Sequence, residues 1–303
     1  VTVRNLSADI LILGAGPAGL TAALYAARAG HRTLVLEGRA ASRLSLNYKL
    51  ENYPGLPSID SGELLAIMKR QAASFGAEIM AGDPLALGLE GDPKYVTTKD
   101  ALVEARAVIL ATGKPIPKER LIPGEDRLLG QGVSYCATCD GPLFRGAPVA
   151  AFGHSEEALK DLRALLQLGC RVLWVPGKAG GGPDEAVARE FEAQGVDIRR
   201  DARIAGILGE TRVEKVVVAG AGASEEVPVA AVFIFREVPT GSLFGRAGVA
   251  LDHKQCVAVD RFQRTNLAGV YAAGDITCGG LQVAAAVGEG CVAAMQAMQS
   301  LRR

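Results

Sequence analysis

Short apolar runs alternate with longer segments of helical spacing along most of the chain. Residues 8–13 (ADILIL) predict a buried strand, residues 14–19 (GAGPAG) a turn, and residues 20–29 an alanine-rich helix. Residues 31–36 (HRTLVL) predict a second strand that ends at Glu37, completing a β-α-β unit. A helix is expected over 61–75, with Leu64, Leu65, Ile67 and Met68 on or near one face, and another strand over 107–111. The two prolines of KPIPK (114–118) end this pattern, because proline continues neither a helix nor a central strand. The pattern then restarts, with strands over 148–152, 171–175, 213–219 and 227–235 and helices over 156–168 and 183–194. A second seam, VPTG (238–241), precedes a strand over 270–273 and a last helix over 282–301. The predicted class is α/β, with two nucleotide-binding, Rossmann-like (three-layer ββα) domains, the second inserted into the first. The outer domain takes 1–115 and 242–303, and the inner one 116–241.

Composition narrows the partners. A chain of 303 residues with 49% hydrophobic content can bury two cores. Lysine plus arginine (33) equals aspartate plus glutamate (33), so no basic field points to nucleic acid or an anionic membrane. No uncharged apolar run reaches the ~18 residues of a membrane span. The start, VTVRNLSADILIL, lacks a signal-peptide pattern, and a cytoplasmic location is expected. Glycine is frequent, at 37, without a collagen period, which suggests tight turns and close backbone approaches. Of six cysteines, only Cys136 and Cys139 are closely spaced. An intracellular chain of this size is not expected to carry a disulfide framework, so the pair reads as a redox couple or half a metal site. No second C-x-x-C exists and His31, His154 and His253 are scattered, so no metal is predicted, although zinc held by distant residues stays open. Cys170, Cys256, Cys278 and Cys291 read as small buried hydrophobes.

Three places carry candidate chemistry. In Gly14-Ala15-Gly16-Pro17-Ala18-Gly19, Gly14 permits the tight turn, Gly16 lets a pyrophosphate approach the backbone, and Gly19 lets helix and strand pack closely. Glu37, 18 residues after Gly19, can accept hydrogen bonds from a ribose diol. Gly274-Asp275 follows a buried strand, where Asp275 can hold a ribityl hydroxyl, and the helix near Gln282 and Val283 aims its amides at negative charge, such as that of a reduced flavin at N1/O2. Cys136-Ala137-Thr138-Cys139-Asp140 can close a small disulfide ring beside a carboxylate able to shuttle a proton.

Together GAGPAG (14–19), Glu51-Asn52-Tyr53-Pro54-Gly55, Ala111-Thr112-Gly113, CATCDG (136–141) and AAGD (272–275) resemble the low-molecular-weight thioredoxin reductase family, in order and over nearly the whole chain. The resemblance implies a homodimer with FAD in the outer domain, lined by Asn52 and the Gln282 region, and electron transfer from flavin to a Cys136–Cys139 disulfide. It implies that Cys139 lies beside the flavin, that Cys136 attacks the disulfide of a thioredoxin-like partner, and that Asp140 is the acid/base. It also implies a rotating inner domain, with hinges at the seams 115–117 and 239–241.

The inner domain departs from the family's NADPH site. Its first element reads Gly153-His154-Ser155-Glu156-Glu157-Ala158, with serine in place of the second glycine and two acids where phosphate would sit. After the strand over 171–175 the family's arginine pair is missing and only Lys178 remains; Arg236 stands where a glycine is usual. Ala41-Ser42 replaces a Gly-Gly before the flavin loop and reads as packing drift. These changes argue against NADPH and for another donor, such as ferredoxin or a second flavin. Two alternatives stand beside this expectation: an ordinary NADPH-dependent thioredoxin reductase with a degenerate site, and a flavin redox sensor without turnover.

Overall fold

Ile10, Leu11, Ile12 and Leu13 are all fully buried. Such a continuous apolar run belongs to a central parallel strand covered on both faces. In the computed structural model, which describes residues 3–39, 42–46, 48–114, 121–177, 183–220, 222–235 and 242–302, this run ends the central strand of a large sheet. The chain divides into two compact units, Val1–Ile116 with Val238–Arg303, and Pro117–Glu237.

In the outer unit β1 (Arg4–Leu13) leads through α1 (Pro17–Arg28) to β2 (Thr33–Glu37). A small ribbon of β3 (Lys49–Leu50) and β4 (Ile59–Asp60) precedes α2 (Ser61–Ser74), then β5 (Glu78–Ala81), β6 (Ala86–Gly88), β7 (Lys94–Thr97) and β8 (Ala101–Leu110). The inner unit comprises β9 (Val133–Ser134), α3 (Ala137–Asp140), β10 (Pro148–Phe152), α4 (Glu156–Gln167), β11 (Arg171–Val175), α5 (Glu185–Ala193), β12 (Asp197–Ile198), β13 (Arg203–Leu208), β14 (Lys215–Ala219), β15 (Ser224–Pro228) and β16 (Ala231–Ile234). The chain returns to the outer unit as α6 (Ser242–Arg246), β17 (Val270–Ala272) and α7 (Val283–Leu301).

The outer sheet runs β5-β2-β1-β8-β7-β6, with β17 also paired to β8. On the edge away from β1, β8 serves two partners: its first half pairs antiparallel with β7 and its last three residues pair parallel with β17. Alternation along β1 sorts the core. Ile10 and Ile12 join the helical side with α1, α2 and α7, whereas Leu11 and Leu13 join Val96, Val103, Phe244 and Val257 on the other. The predicted three-layer α/β arrangement is present.

The inner unit has a parallel sheet, β12-β11-β10-β16-β9, and a separate antiparallel sheet, β13-β14-β15. Trp174 is fully buried, meets Phe191 edge-on at 5.2 Å, and donates its indole N–H to Gly153 O at 2.7 Å. The single strand expected over 227–235 is two strands in different sheets. Pro228 ends β15, Val229 N then bonds Glu214 O at 3.0 Å, and Ala230 N bonds Pro148 O at 2.8 Å as the chain crosses to the parallel sheet. Among the described residues no helix is long and apolar enough to cross a membrane.

Candidate active site

The turn after β1 has no room for side chains. At Gly14 φ is +113°, and a Cβ there would lie 2.3 Å from Ala111 O; a Cβ at Gly19 would lie 1.9 Å from Gly14 O. Strand, turn, helix and the Ala111–Thr112–Gly113 segment are thereby drawn together, with Gly14 N donating to Leu36 O at 2.9 Å and Ala111 N to Leu13 O at 2.8 Å. Gly16 caps α1, with Pro17 as its first residue. Ala18 packs against α7 so closely that a Cβ at Gly290 would lie 2.2 Å from Ala18 O. Glu37 ends β2, where Lys69 Nζ of α2 donates to its Oε1 at 2.5 Å.

Asn52 and Gln282 meet although 230 positions separate them: Asn52 Nδ2 donates to Gln282 Oε1 at 3.2 Å. Gln282 is the N-cap of α7 and Val283 its first residue. Gly274 (φ +82°) turns the chain into Asp275, whose Oδ2 lies 3.9 Å from a guanidinium nitrogen of Arg43. Buried Ser61 fixes the turn that carries Arg43 by donating to Leu44 O at 2.7 Å.

The helix N-termini are of two kinds. Among the described helices of at least about eight residues, α2, α4 and α5 are capped by Asp60, Ser155 and Asp184. α1 and α7 begin with no side-chain cap. Both uncapped ends belong to the outer unit, and both present first-turn amides with partial positive charge.

In the inner unit Cys136 is half-buried and disulfide-bonded. Cys139 lies in α3, and its side chain falls outside the described residues. Ser134, almost fully buried, links the parts of this turn: its hydroxyl donates to Asp140 Oδ2 at 2.6 Å and accepts from Cys136 N at 3.1 Å. Asp140 N donates to Cys136 O at 3.2 Å. Cys136 Sγ lies 3.3 Å from Thr138 Oγ1. One residue earlier, Tyr135 OH donates to the buried Glu125 at 2.9 Å, and Glu125 also accepts from Ile122 N at 2.7 Å.

This combination of a glycine turn for a dinucleotide and a held disulfide turn agrees with known proteins. A family model described as pyridine nucleotide-disulphide oxidoreductase matches residues 8–290. A thioredoxin reductase from Aquifex aeolicus (strain VF5) is 37% identical over 295 residues, covering 95% of this chain and 91% of its own. The crystal structure of thioredoxin reductase from Streptococcus pyogenes MGAS5005 matches with TM-score 0.84 and 31% identity over 99% of both chains. A ferredoxin-flavin thioredoxin reductase from Clostridium acetobutylicum matches with TM-score 0.54 and 32% identity, again over 99% of both. The chain belongs to the low-molecular-weight thioredoxin reductase family. It is a flavin-dependent disulfide oxidoreductase of that family.

Thioredoxin reductases of this family carry FAD, and the outer unit fits it. At Gly16 the turn faces open space, the atom nearest an added Cβ being Ser42 Oγ at 3.7 Å, and the uncapped ends of α1 and α7 supply amides for a pyrophosphate and for an anionic flavin edge. The corresponding place in the inner unit is built differently. α4 follows β10 as α1 follows β1, but Ser155 Oγ accepts from Ala158 N at 3.2 Å and closes the helix end on itself. His154 Nδ1 donates to Pro176 O at 2.8 Å, and exposed Glu156 opens the helix. Ala41, Lys178, Arg236 and both proline seams lie outside the described residues, as does the Glu157 side chain.

Glu289 was not visible as a site residue, yet it holds the Asp275 loop: Gly274 N and Thr277 Oγ1 donate to its Oε2 at 2.7 and 3.1 Å. Its signal was available, since it is the one charged residue in VAAAVGEGCVAAMQAMQSL. Burial, the largest influence, raises its pKa; the two donors pull it back and nearby Asp275 raises it further. A carboxyl that titrates above its unfolded value favours the fold when protonated. Its stabilisation is complete below the ordinary range near ~4.3 and is lost as pH rises through the raised value. Glu289→Gln keeps an acceptor without the charge. Its melting temperature is expected to exceed wild type at about pH 8 and to converge with it at about pH 4; a lower melting temperature at the alkaline end would contradict this.

The cysteine reading needs correction: Cys291, expected as a buried apolar residue, is a free thiol that is only half-buried. Cys170 is a buried free thiol that donates to Phe144 O at 3.2 Å, its pKa raised by burial. Cys256 and Cys278, expected as lone apolar residues, instead form a disulfide. Fold topology brings them together across 22 positions, which no local spacing rule detects.

Proposed function

We propose that this protein passes electrons from a donor other than NADPH, through FAD in the outer unit, to a Cys136–Cys139 disulfide in the inner unit and on to a thioredoxin-like protein. The reading includes a cytoplasmic homodimer, with ferredoxin as the leading donor class. The observation that carries it is the contrast between the two helix ends: Gly16 leaves α1 open, whereas Ser155 and Glu156 occupy the equivalent end of α4 with a hydroxyl cap and a negative charge. A pyridine nucleotide would have to displace the cap and face the carboxylate. The ferredoxin-flavin neighbour supports a donor change within the same architecture. The alternative of an ordinary NADPH enzyme is favoured by the description of the matching family, pyridine nucleotide-disulphide oxidoreductase.

In this reading Gly14, Gly16, Pro17, Ala18 and Gly19 bind the pyrophosphate, Glu37 the adenosine ribose, and Ala111, Thr112, Gly113, Gly274 and Asp275 the rest of the chain to the ring. Asn52, Gln282 and Val283 orient the ring edge. FAD, when bound, supplies the two electrons that convert the disulfide to a dithiol. Cys136 then attacks the partner's disulfide as the thiolate, Cys139 resolves the mixed disulfide, and Asp140 carries the proton released and consumed. Ser134 keeps Asp140 Oδ2 aimed at this turn.

Anaerobic addition of NADPH or NADH is expected to leave the flavin absorbance unchanged, while reduced ferredoxin bleaches it and yields thioredoxin thiols. Rapid bleaching by either pyridine nucleotide at micromolar concentration would favour the ordinary enzyme. Bleaching by ferredoxin with no thiols formed would favour a sensor. Asp140→Asn should slow disulfide turnover about 10²-fold while FAD content stays at wild type, since a positioned acid/base supplies that order of rate. Ser134→Ala should cost about tenfold, the value of one hydrogen bond to a charged group; unaltered turnover in either variant would remove that residue from the scheme.

A further inference from the structure

The last segment of the outer unit holds a second sulfur pair that the chemistry above does not use. Cys256 and Cys278 are disulfide-bonded, with Cα atoms 6.0 Å apart. Cys256 is almost fully buried in a hairpin that Asp252 organises: its Oδ1 accepts from Lys254 N at 2.8 Å and from Cys256 N at 2.9 Å. Asp252 N donates to Cys256 O at 2.8 Å. Cys278 is only half-buried, directly after the Asp275–Thr277 turn, and exposed Gly279 and Gly280 follow it. The bond therefore staples a rigid hairpin to the loop between Asp275 and Gln282, whose two ends are proposed FAD contacts.

That loop is held against its own preferences. Cys278 (φ +58°) and Leu281 (φ +51°) both occupy the left-handed region, which residues with a Cβ disfavour. Non-covalent ties hold its start: Glu289 holds Gly274 and Thr277, and Val257 N donates to Ile276 O at 2.9 Å. The disulfide restrains its middle, from which the chain leads on to the Asn52–Gln282 contact.

We propose that Cys256–Cys278 is a second redox site, a clamp on the FAD loop that a protein dithiol of the thioredoxin-like class opens. The choice of reductant rests on the function proposed above; the clamp does not. A thiolate of the dithiol attacks Cys278 Sγ, the less buried sulfur. The Cys256–Cys278 bond breaks, and Cys256 leaves as a thiolate and takes a proton. Lys254 O, 3.7 Å from Cys256 Sγ, is placed to accept from that thiol. The second thiol of the dithiol then attacks the mixed disulfide and frees Cys278, which takes the second proton. One disulfide becomes two thiols, one dithiol becomes a disulfide, and two electrons pass. The freed loop samples conformations in which Gln282 no longer lines the cofactor, so accumulating reduced product loosens FAD and slows its own formation.

The test uses the FAD-loaded protein. It is treated with dithiothreitol or reduced thioredoxin, thiols are alkylated and mapped by mass, and FAD release on dilution is followed by its fluorescence. Both reductants are expected to expose Cys256 and Cys278 to alkylation and to speed FAD release at least about fivefold, the lower end of ordinary coupling between sites. Cys278→Ser should release FAD at the rate of the reduced wild type and should no longer respond to dithiol. Because Cys136 remains reducible in that variant, its lack of response assigns the effect to the clamp. Cys256→Ser provides the same test from the other sulfur should Cys278→Ser fail to fold. Unmodified Cys256 and Cys278 after both treatments, or equal FAD release before and after their reduction, would overturn the proposal. Failure to turn over thioredoxin, with the clamp still opened by dithiothreitol and FAD released faster, would overturn the proposed function and leave the clamp standing.

Discussion

A Cys136→Ser enzyme is expected to bind FAD normally and to return no electrons to a disulfide substrate. Serine cannot form the mixed disulfide through which exchange proceeds, and its hydroxyl is not ionised at neutral pH. The surrounding turn should survive, because Ser134 holds it through the backbone amide of Cys136 and the carboxylate of Asp140 rather than through the sulfur. Glu125 likewise anchors the preceding Tyr135 independently of the thiol. Removing a nucleophile costs at least about 10³-fold in turnover. Comparing thioredoxin reduction with the flavin-to-protein absorbance ratio separates loss of chemistry from loss of cofactor. Turnover within about tenfold of wild type would place the reactive sulfur elsewhere.

Gly19→Ala should have the largest effect on the cofactor. The added carbon would sit 1.9 Å from Gly14 O, a backbone atom that cannot rotate away. Gly14 itself has no slack, since it already lies against Ala111 O and its φ of +113° suits glycine. Relief requires α1 to move away from β1. α1 is clasped from its other side by α7, where Gly290 meets Ala18 O. The expected result is a protein purified without flavin and destabilised by about 1–3 kcal/mol, as for other overpacked cores. Absorbance gives the FAD content and a urea titration the stability. A fully flavinated variant with an unchanged midpoint would show that the turn is not the cofactor cradle.

Local signals carried much of this structure. The β1-α1-β2 unit was legible because a buried run, a glycine turn and an alanine-rich helix follow one another directly, although β1 begins earlier than its apolar part, at Arg4. The two strands of the inner unit at 148–152 and 171–175 have the expected bounds for the same reason. β5, β6 and β7 gave no clear signal, being three or four residues long with mixed exposure. The apolar stretch 227–235 hid a change of sheet, because both β15 and β16 end or begin in valine-rich sequence and only the hydrogen bonds at Val229 and Ala230 part them. Within the site, residues named by motifs were readable, while those placed by tertiary contact were not. Ser134 has no motif of its own and matters because the turn folds it onto Asp140. Lys69 reaches Glu37 only because α2, packed on α1, brings it to the end of β2.

The Ser155 cap has an evolutionary corollary. It lies on the segment joining β10 to α4, whereas the Cys136 turn lies on the segment joining β9 to α3. In the proposed function separate stretches of chain thus carry the donor site and the thiols, so that a lineage can exchange its fuel by altering one connection while leaving the thiol relay, and the clients it serves, untouched.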